Sequence, residues 1–390
     1  MKKLEGYMAG VNLGGWLSQY LEGNLQRDPE HHFDRFITKE DIDRIADFGF
    51  DHVRVPFDYP LIEDDDKPFV YKESGFAYLD NCVNWCRAAG LNLVLDLHRA
   101  PGFSFNEPDK IILFGDADMQ ARFLAIWQAF AKRYKGEGHL LFELLNEIVE
   151  PDSTRWNALA TRAIAAIREV DADHAIVIGG IDYNNVWKLK DMPIFDDPKV
   201  VYNFHMYEPF AMTHQHAHWN EEVLRFGRDV SYPAPLDDYL DFARETGRRM
   251  DLYEGLTYMD RDFVYRFLQP AADFIAEHDL PLYCGEYGVI DNADLESRAA
   301  WTQDVAAFCT QHGIGRALWS YRGMNFGLVD ETTKAPVSAA LLRAASMLAA
   351  MERDKQAMLR VLGGMRAEPA ELARFMVDSL PAPLRELFLR

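Results

Sequence analysis

Positive charge, cysteine and long apolar runs are all scarce in this sequence of 390 residues. No apolar run approaches the ~18–20 residues that a membrane-spanning helix requires, so a helical membrane span is excluded. Only 41 Lys and Arg stand against 62 Asp and Glu, a formal net charge of -21. A surface this acidic repels phosphate backbones and anionic lipid headgroups, which argues against nucleic-acid and membrane-surface roles. The four cysteines, Cys82, Cys86, Cys284 and Cys309, make neither a zinc spacing nor a disulfide framework and read as buried free thiols. The start Met1-Lys2-Lys3 imitates a signal peptide, but Glu5, Asn12 and Gln19 interrupt the apolar stretch behind it. The expectation is a cytoplasmic protein. No G-x-S-x-G turn is present, which removes the usual serine-hydrolase reading.

What is present is ordinary for a globular chain, with 48% apolar and 26% charged residues, except for a high aromatic share of 13%. Aromatic faces are what sugar rings and apolar ligands stack against. Short apolar or β-branched runs recur at Ala9–Leu13, His52–Val55, Leu91–Leu97, Leu140–Leu145, Ala175–Ile178, Val200–Phe204, Leu282–Cys284 and Arg316–Trp319. Several are apolar throughout, as parallel strands buried on both faces are. Helical patterns lie between them, at Lys39–Phe48, Phe76–Ala89, Met119–Tyr134, Ser153–Val170, Phe263–His278 and Ser297–Gln311. Thr38, with Asp41 three residues on, marks the first start as a capped one.

Strand–helix alternation repeated eight times predicts an α/β fold of one (β/α)8 TIM barrel over residues 1–350. A doubly wound sheet would alternate too, but Gly10-Val11-Asn12-Leu13-Gly14-Gly15 lacks the phosphate-turn spacing. The interval between the sixth and seventh strands is far longer than the rest. Its excess, residues 208–262, reads as an insertion forming a lid or wall at the active-site face. After strand eight, Ser338–Arg353 reads as the last barrel helix. Residues 351–390 read as a helical extension packed on the barrel or at a subunit interface, which allows a homo-oligomer.

In a parallel barrel, residues just past the strand C-termini converge on one cavity. In order these are Arg54, His98, Asn146-Glu147, His205-x-Tyr207, Glu286 and Trp319. Two carboxylates arriving from different strands, among donors, aromatics and one arginine, suit hydrolysis of a glycosidic bond. One protonates the leaving oxygen while the other attacks the sugar carbon or stabilises its developing charge. Their pKa values must differ, and a neighbouring arginine on one of them supplies that difference. Each residue also has a structural reading: Arg54 paired with Asp51 or Asp58, the histidines as satisfied core groups, Trp319 as barrel packing. His214-x-His216-x-His218 invites a metal, but it lies inside the insertion and no other residues complete a shell. It is read as a wall segment or plain surface, and no metal is expected.

These residues resemble glycoside hydrolase family 5, of the retaining (β/α)8 clan. The resemblance rests on Gly10-Val11-Asn12-Leu13-Gly14-Gly15-Trp16, His52-Val53-Arg54-Val55-Pro56, Leu95-Asp96-Leu97-His98 with Ala100-Pro101-Gly102, Leu145-Asn146-Glu147, His205-Met206-Tyr207, Gly285-Glu286-Tyr287-Gly288 and Trp319. It implies that Glu147 is the acid/base and Glu286 the nucleophile, with Arg54 and Tyr207 steadying Glu286. It also implies that His98, Asn146 and His205 contact the sugar at the −1 position, Asn146 through the 2-hydroxyl, over Trp319 as platform. Tyr20, Asn325 and Asp330 are further subsite candidates, while for Trp16 sugar contact and first-strand packing stay open. The family needs no cofactor. A cytoplasmic member should meet short β-linked oligosaccharides, and an insertion closing one end of the cleft would favour exo-action. The outline resembles the intracellular β-mannosidases of the family, acting on linkages such as mannosyl-β-1,4-N-acetylglucosamine. The alternative is a β-glucosidase or β-1,3/1,4-glucanase.

Overall fold

The computed structural model describes residues 3–20 and 29–346. Its strands are β1 (Gly10–Asn12), β2 (His52–Asp58), β3 (Asn92–Arg99), β4 (Leu140–Glu143), β5 (Ala175–Gly179), β6 (Val200–Met206), β7 (Ala234–Pro235), β8 (Tyr258–Met259), β9 (Leu282–Tyr287) and β10 (Gly315–Leu318). Eight of them are parallel and close in the order β1-β10-β9-β6-β5-β4-β3-β2; β7 and β8 form a separate antiparallel pair. The ring shuts where Gly10 pairs with His52 on one side and Ala317 on the other. The helices are α1 (Pro29–Phe36), α2 (Lys39–Asp47), α3 (Glu73–Ala89), α4 (Ala117–Arg133), α5 (Ser153–Arg168), the single turn α6 (Ile181–Asn184), α7 (Phe210–Thr213), α8 (Glu221–Phe226), α9 (Asp237–Thr246), α10 (Arg261–His278) and α11 (Leu295–Gln311).

The expected (β/α)8 barrel is therefore present, and all eight expected strands belong to it. The expected start of α2 also holds, with Thr38 and Asp41 closing a capping box. Aspartates cap α4, α5, α10 and α11, each accepting from the first backbone N–H groups of its helix. The outer face of the strands and the inner faces of the helices share one apolar core, which includes Trp127, Trp156 and Trp301.

Inside the ring, the two-residue strand period sorts side chains into levels. The lowest is apolar, with Val94, Leu141, Val177, Val201, Tyr283 and Ala317 closed from beneath by Tyr7. Two residues further along, the interior turns polar: Asn12, Arg54, Asp96, Glu143 and Asn203 are fully buried there. One more step brings His98 and His205. A bulge at Gly285 keeps Glu286 in register with His205, although Cys284 pairs with the preceding Phe204. Only glycine fits that bulge, because a Cβ there would lie 2.8 Å from the Asn203 amide.

The 208–262 insertion follows β6 and is anchored on α10 and α11. Tyr232 takes the Ser297 hydroxyl on its N–H at 2.8 Å and donates its own hydroxyl to Asp304 at 2.7 Å, both on α11. Arg266 of α10 donates to the Leu252 and Glu254 carbonyls. Arg248 lies between the Phe210 and Phe242 rings, tying α7 to α9. The last barrel helix runs from residue 339 and is described to 346; the extension at 351–390 lies outside the described residues. All four cysteines are buried and free. No helix among the described residues is long and apolar enough to cross a membrane.

Candidate active site

Arg54 is the hub. Its side chain rises from β2 into the polar level with no exposure. A guanidinium has five N–H donors and all five find acceptors here. Nε and Nη2 grip the two Glu143 oxygens at 2.7 and 2.8 Å. Nη1 donates to Asn12 Oδ1 at 3.0 Å and to Glu286 Oε1 at 2.7 Å, and Nη2 also donates to Asn146 Oδ1 at 2.9 Å. Asp96 stands 3.0 Å from Nη2 as a further counter-ion. Asn203 donates to Glu143 and accepts from the Gly285 N–H, so the same network fixes the bulge beneath Glu286. The rim-pairing alternative for Arg54 is thereby replaced by a buried one.

Glu286 holds one oxygen on Arg54 and the other on the Tyr207 hydroxyl, 2.9 Å away. Glu147 follows β4 and meets His205 Nδ1 at 3.0 Å; that nitrogen is also 3.7 Å from Glu286. Ligating atoms of Glu147, His205 and Glu286 all lie within 4.8 Å of one another. Facing carboxyl groups roughly 5–5.5 Å apart belong to retaining hydrolysis, whereas inversion needs roughly 6.5–9.5 Å for its water.

The two carboxyls share burial but not partners. Burial raises the Glu147 pKa well above the usual carboxyl range, and the charge of Glu286 adds to it. Burial raises Glu286 too, but the Arg54 charge and the Tyr207 hydroxyl pull it part of the way back. The proton of the pair therefore rests on Glu147, leaving Glu286 ionised. Burial pushes His98 down to about 3, and His205 well below its ordinary value, so both rings are neutral. Burial raises Asp96 to about 7 against the pull of Arg54. Glu147 also has φ +40°, a strained backbone for a glutamate, held at the residue whose carboxyl must reach the bond.

Around the pair, Trp319 lies parallel to His98, with ring centroids 5.9 Å apart and planes 4° apart. His98 is fixed by Asp96 Oδ2 on its Nδ1 at 2.6 Å. Asn146 Nδ2 is buried with no hydrogen-bond partner among the described residues, a donor available to a sugar hydroxyl. His205 differs from expectation: with Nδ1 on Glu147 and Nε2 3.3 Å from the Asn184 amide, its ring nitrogens serve the protein, and it positions the acid. Trp16 is corrected to packing, because it is fully buried, stacks on Trp85 and donates Nε1 to the Phe33 carbonyl. Asp330 is corrected to a turn residue, its carboxylate taken by Thr332 and Thr333. Asn325 is exposed on the same loop at φ +60°, its carbonyl accepting from Asp291. Tyr20 is half-buried against Phe33 and lines a cavity beside the site. The three histidines do not converge: His214 stacks on Phe210, His216 pairs with Asp229, and His218 packs edge-on against Trp219.

Residues that sequence reasoning missed are Asp96 and Glu143, together with Asn12, Asn203 and Asn184. Their signal was present as a lone acid inside an apolar strand, in Leu95-Asp96-Leu97 and Phe142-Glu143-Leu144. Such an acid is buried at a cost unless a counter-ion meets it.

A closed parallel barrel carrying a proton-sharing carboxylate pair at this spacing defines a retaining glycoside hydrolase. Comparison with known proteins agrees. The model of the Cellulase family (glycosyl hydrolase family 5) matches residues 19–325. Endoglucanase C of Acetivibrio thermocellus is 45% identical over 338 residues, covering 86% of this chain and 97% of that protein. Cellodextrinase A of Ruminococcus flavefaciens is 33% identical over 320 residues, covering 81% and 86%. Among solved structures, Thermotoga maritima Cel5A in complex with a mannotriose substrate is similar with TM-score 0.69 and 26% identity, over 87% of this chain and 97% of that one. The same enzyme is also described with cellobiose, at the same similarity. The chain belongs to glycosyl hydrolase family 5.

Proposed function

We propose that this enzyme hydrolyses β-1,4-linked gluco-oligosaccharides by double displacement. The observation that carries the chemistry is the unequal partnering of two facing carboxyls: Glu286 is held by Arg54 and Tyr207, while Glu147 lacks that cation contact and is raised well above the usual carboxyl range by burial and by Glu286. In the first step Glu286 attacks the anomeric carbon while Glu147 gives its proton to the leaving oxygen. The glycosyl bond to Glu286 cancels that carboxylate's charge and removes one cause of the raised Glu147 pKa. Glu147 then accepts a proton from the water that attacks the same carbon, the bond to Glu286 breaks and returns its carboxylate, and configuration is retained. No metal enters these steps.

The substrate reading moves from mannose to glucose. The relatives covering most of this chain are named endoglucanases and a cellodextrinase, which supports the β-glucanase alternative over the β-mannosidase reading. The cellodextrinase supports short soluble glucans as the substrate. Four buried free thiols suit a reducing compartment, so we place the proposed action in the cytoplasm. The test is a panel of aryl β-glucosides, cellobiosides, mannosides and galactosides, with Glu286→Gln as control and anomeric products followed by NMR. A preference for the gluco series with retention supports the proposal. A preference for mannosides refutes the substrate, and equal rates for Glu286→Gln refute the nucleophile.

A further inference from the structure

The hydrogen bond from Tyr207 to Glu286 joins two backbone segments, the one leaving β6 and the end of β9. Thr213, the last residue of α7, touches both. Its hydroxyl donates to the Tyr207 carbonyl, and its own carbonyl accepts at 2.9 Å from the N–H of Ile290, just past β9. Two residues on, the Gln215 carbonyl accepts from Asn292 Nδ2 at 3.2 Å. Thr213 is fully buried and Gln215 nearly so. From these contacts we propose that Thr213 and His214, at the start of the 208–262 insertion, are positioning residues that hold the Tyr207 hydroxyl on Glu286. The role rests on the reading of Glu286 as nucleophile given above.

The ring of Tyr207 is held as well as its backbone. His214 packs edge-on against it with centroids 5.0 Å apart, and stacks on Phe210 at 4.1 Å. A threonine hydroxyl has one hydrogen, and here the Tyr207 carbonyl takes it. Towards His214 Nδ1, 3.1 Å away, the same oxygen can only accept, so the imidazole carries its proton on Nδ1. Burial pushes the His214 pKa down to about 3, which keeps that ring neutral against the tyrosine. One hydroxyl thus fixes both the Tyr207 backbone and the histidine lying on its ring. Behind Phe210 stands Arg248, 4.9 Å from that ring's centre, paired with Glu222 at 2.8 Å and 3.5 Å from Glu208. Glu208 accepts from the Phe210 N–H at 2.7 Å, and its carbonyl takes the Trp301 indole N–H of α11 at 3.0 Å. Tyr207, His214, Phe210 and Arg248 form one row that runs outward from the nucleophile.

What the row does for the reaction follows from the geometry of a hydrogen bond, which weakens steeply as its angle closes or its length grows. The Tyr207 hydroxyl is one of the groups that pull Glu286 back towards the ionised form. A tyrosine free to drift would leave that task to Arg54 and raise the share of protonated, unreactive Glu286. The other groups facing Glu286 are Arg54, Asp96, His98, Glu147 and His205. They come from β2, β3, β6 and the segment after β4, so a cut at Thr213 leaves them in place. The first of the three alternating histidines thereby has a task that is neither metal binding nor plain surface.

The test is a double-mutant cycle read as the pH profile of kcat/KM on an aryl β-cellobioside. Thr213→Val keeps the shape and loses the hydroxyl; its acid limb should move to higher pH, with a loss of about fivefold at neutral pH. Thr213→Ser keeps the hydroxyl and should restore both. In a Tyr207→Phe background, Thr213→Val should leave the limb where it is and cost under about twofold, because the bond it supports is already gone. Unfolding midpoints followed alongside separate lost fold from lost position. Arg248→Gln, at the half-buried outer end of the row, gives a second reading should Thr213→Val not fold: a smaller shift in the same direction, again absent without the Tyr207 hydroxyl. A folded Thr213→Val with the wild-type limb, or an effect as large in the Tyr207→Phe background, overturns the proposal. If Tyr207→Phe moves the limb and neither Thr213→Val nor Arg248→Gln does, the positioning role falls and the nucleophile stands. Equal rates for Glu286→Gln and the wild type would remove the nucleophile itself.

Discussion

Replacing Arg54 by methionine isolates what one buried cation contributes to this barrel. The side chain has no exposure and all five of its donors are occupied, so removing it strips Glu143 of both its grips and Asp96 and Glu286 of their counter-ion. Breaking a buried ion pair by deleting one partner costs about 3–5 kcal/mol, at least about a fifth of a typical domain's stability. Arg54→Lys keeps the charge but brings three donors for five acceptors. Two unmet buried acceptors at about 1–3 kcal/mol each put its loss close behind. The sign with pH follows from the carboxyls. Burial already raises Asp96, Glu143 and Glu286 in the wild type, and losing Arg54 raises them further. Groups with folded pKa values above the unfolded ones favour the fold at low pH and lose that contribution as pH rises through the folded values. The deficit of the methionine variant should therefore be larger at pH 8 than at pH 5, and that of the lysine variant, which keeps a cation, should depend less on pH. Urea unfolding at the two pH values measures it. A methionine variant with an unchanged midpoint, or a deficit that grows as pH falls, refutes the account of Arg54 as counter-ion to the level.

In Glu286→Gln the amide keeps the Arg54 and Tyr207 contacts but loses the charge that helps raise Glu147; the Glu147 carboxyl, followed by ¹³C NMR, should titrate at lower pH than in the wild type. Tyr207→Phe removes the hydroxyl that pulls Glu286 down, so the acid limb of kcat/KM should move to higher pH, with a loss of roughly tenfold or more at neutral pH; an unmoved limb counts against that hydrogen bond. Trp16→Ala should cost about 3–5 kcal/mol in unfolding, as a core truncation does, while the folded variant keeps its KM for aryl cellobiosides; a large KM change with little loss of stability would restore Trp16 to the subsite.

The barrel was legible because parallel strands buried on both faces leave runs such as Leu91–Leu97 that no surface segment carries. Strand ends were less so. β2 and β3 run on to Asp58 and Arg99, since their pairing continues through Pro56↔Asp96 and Phe57↔Leu97 into residues that read as loop. The β7–β8 pair joins Ala234 to Met259 across nearly half of the insertion, a contact with no local pattern. The meeting of the Glu147 and Glu286 carboxyls, the pair proposed to carry the reaction, was legible from their place at the ends of two strands. Asp96 and Glu143 were not, because a lone acid in an apolar run reveals its partner only after the ring has closed. Trp16 was legible only as a choice: its motif position left sugar contact and packing both open, and burial against Trp85 and Phe33 favours packing. The insertion was found by its length, but which helices it would lean on depends on single hydrogen bonds such as that of Tyr232 to Ser297.

One guanidinium facing three enclosed acids, its own strand and three others of the ring contributing, also restricts how such a chain can drift. No member of that set changes alone without stranding another, so β2, β3, β4 and β9 are bound to vary together or not at all at those positions. The rim above them is under no such bond, and new sugar preferences can be tried there by loop replacement while the reacting centre passes unaltered from one variant to the next.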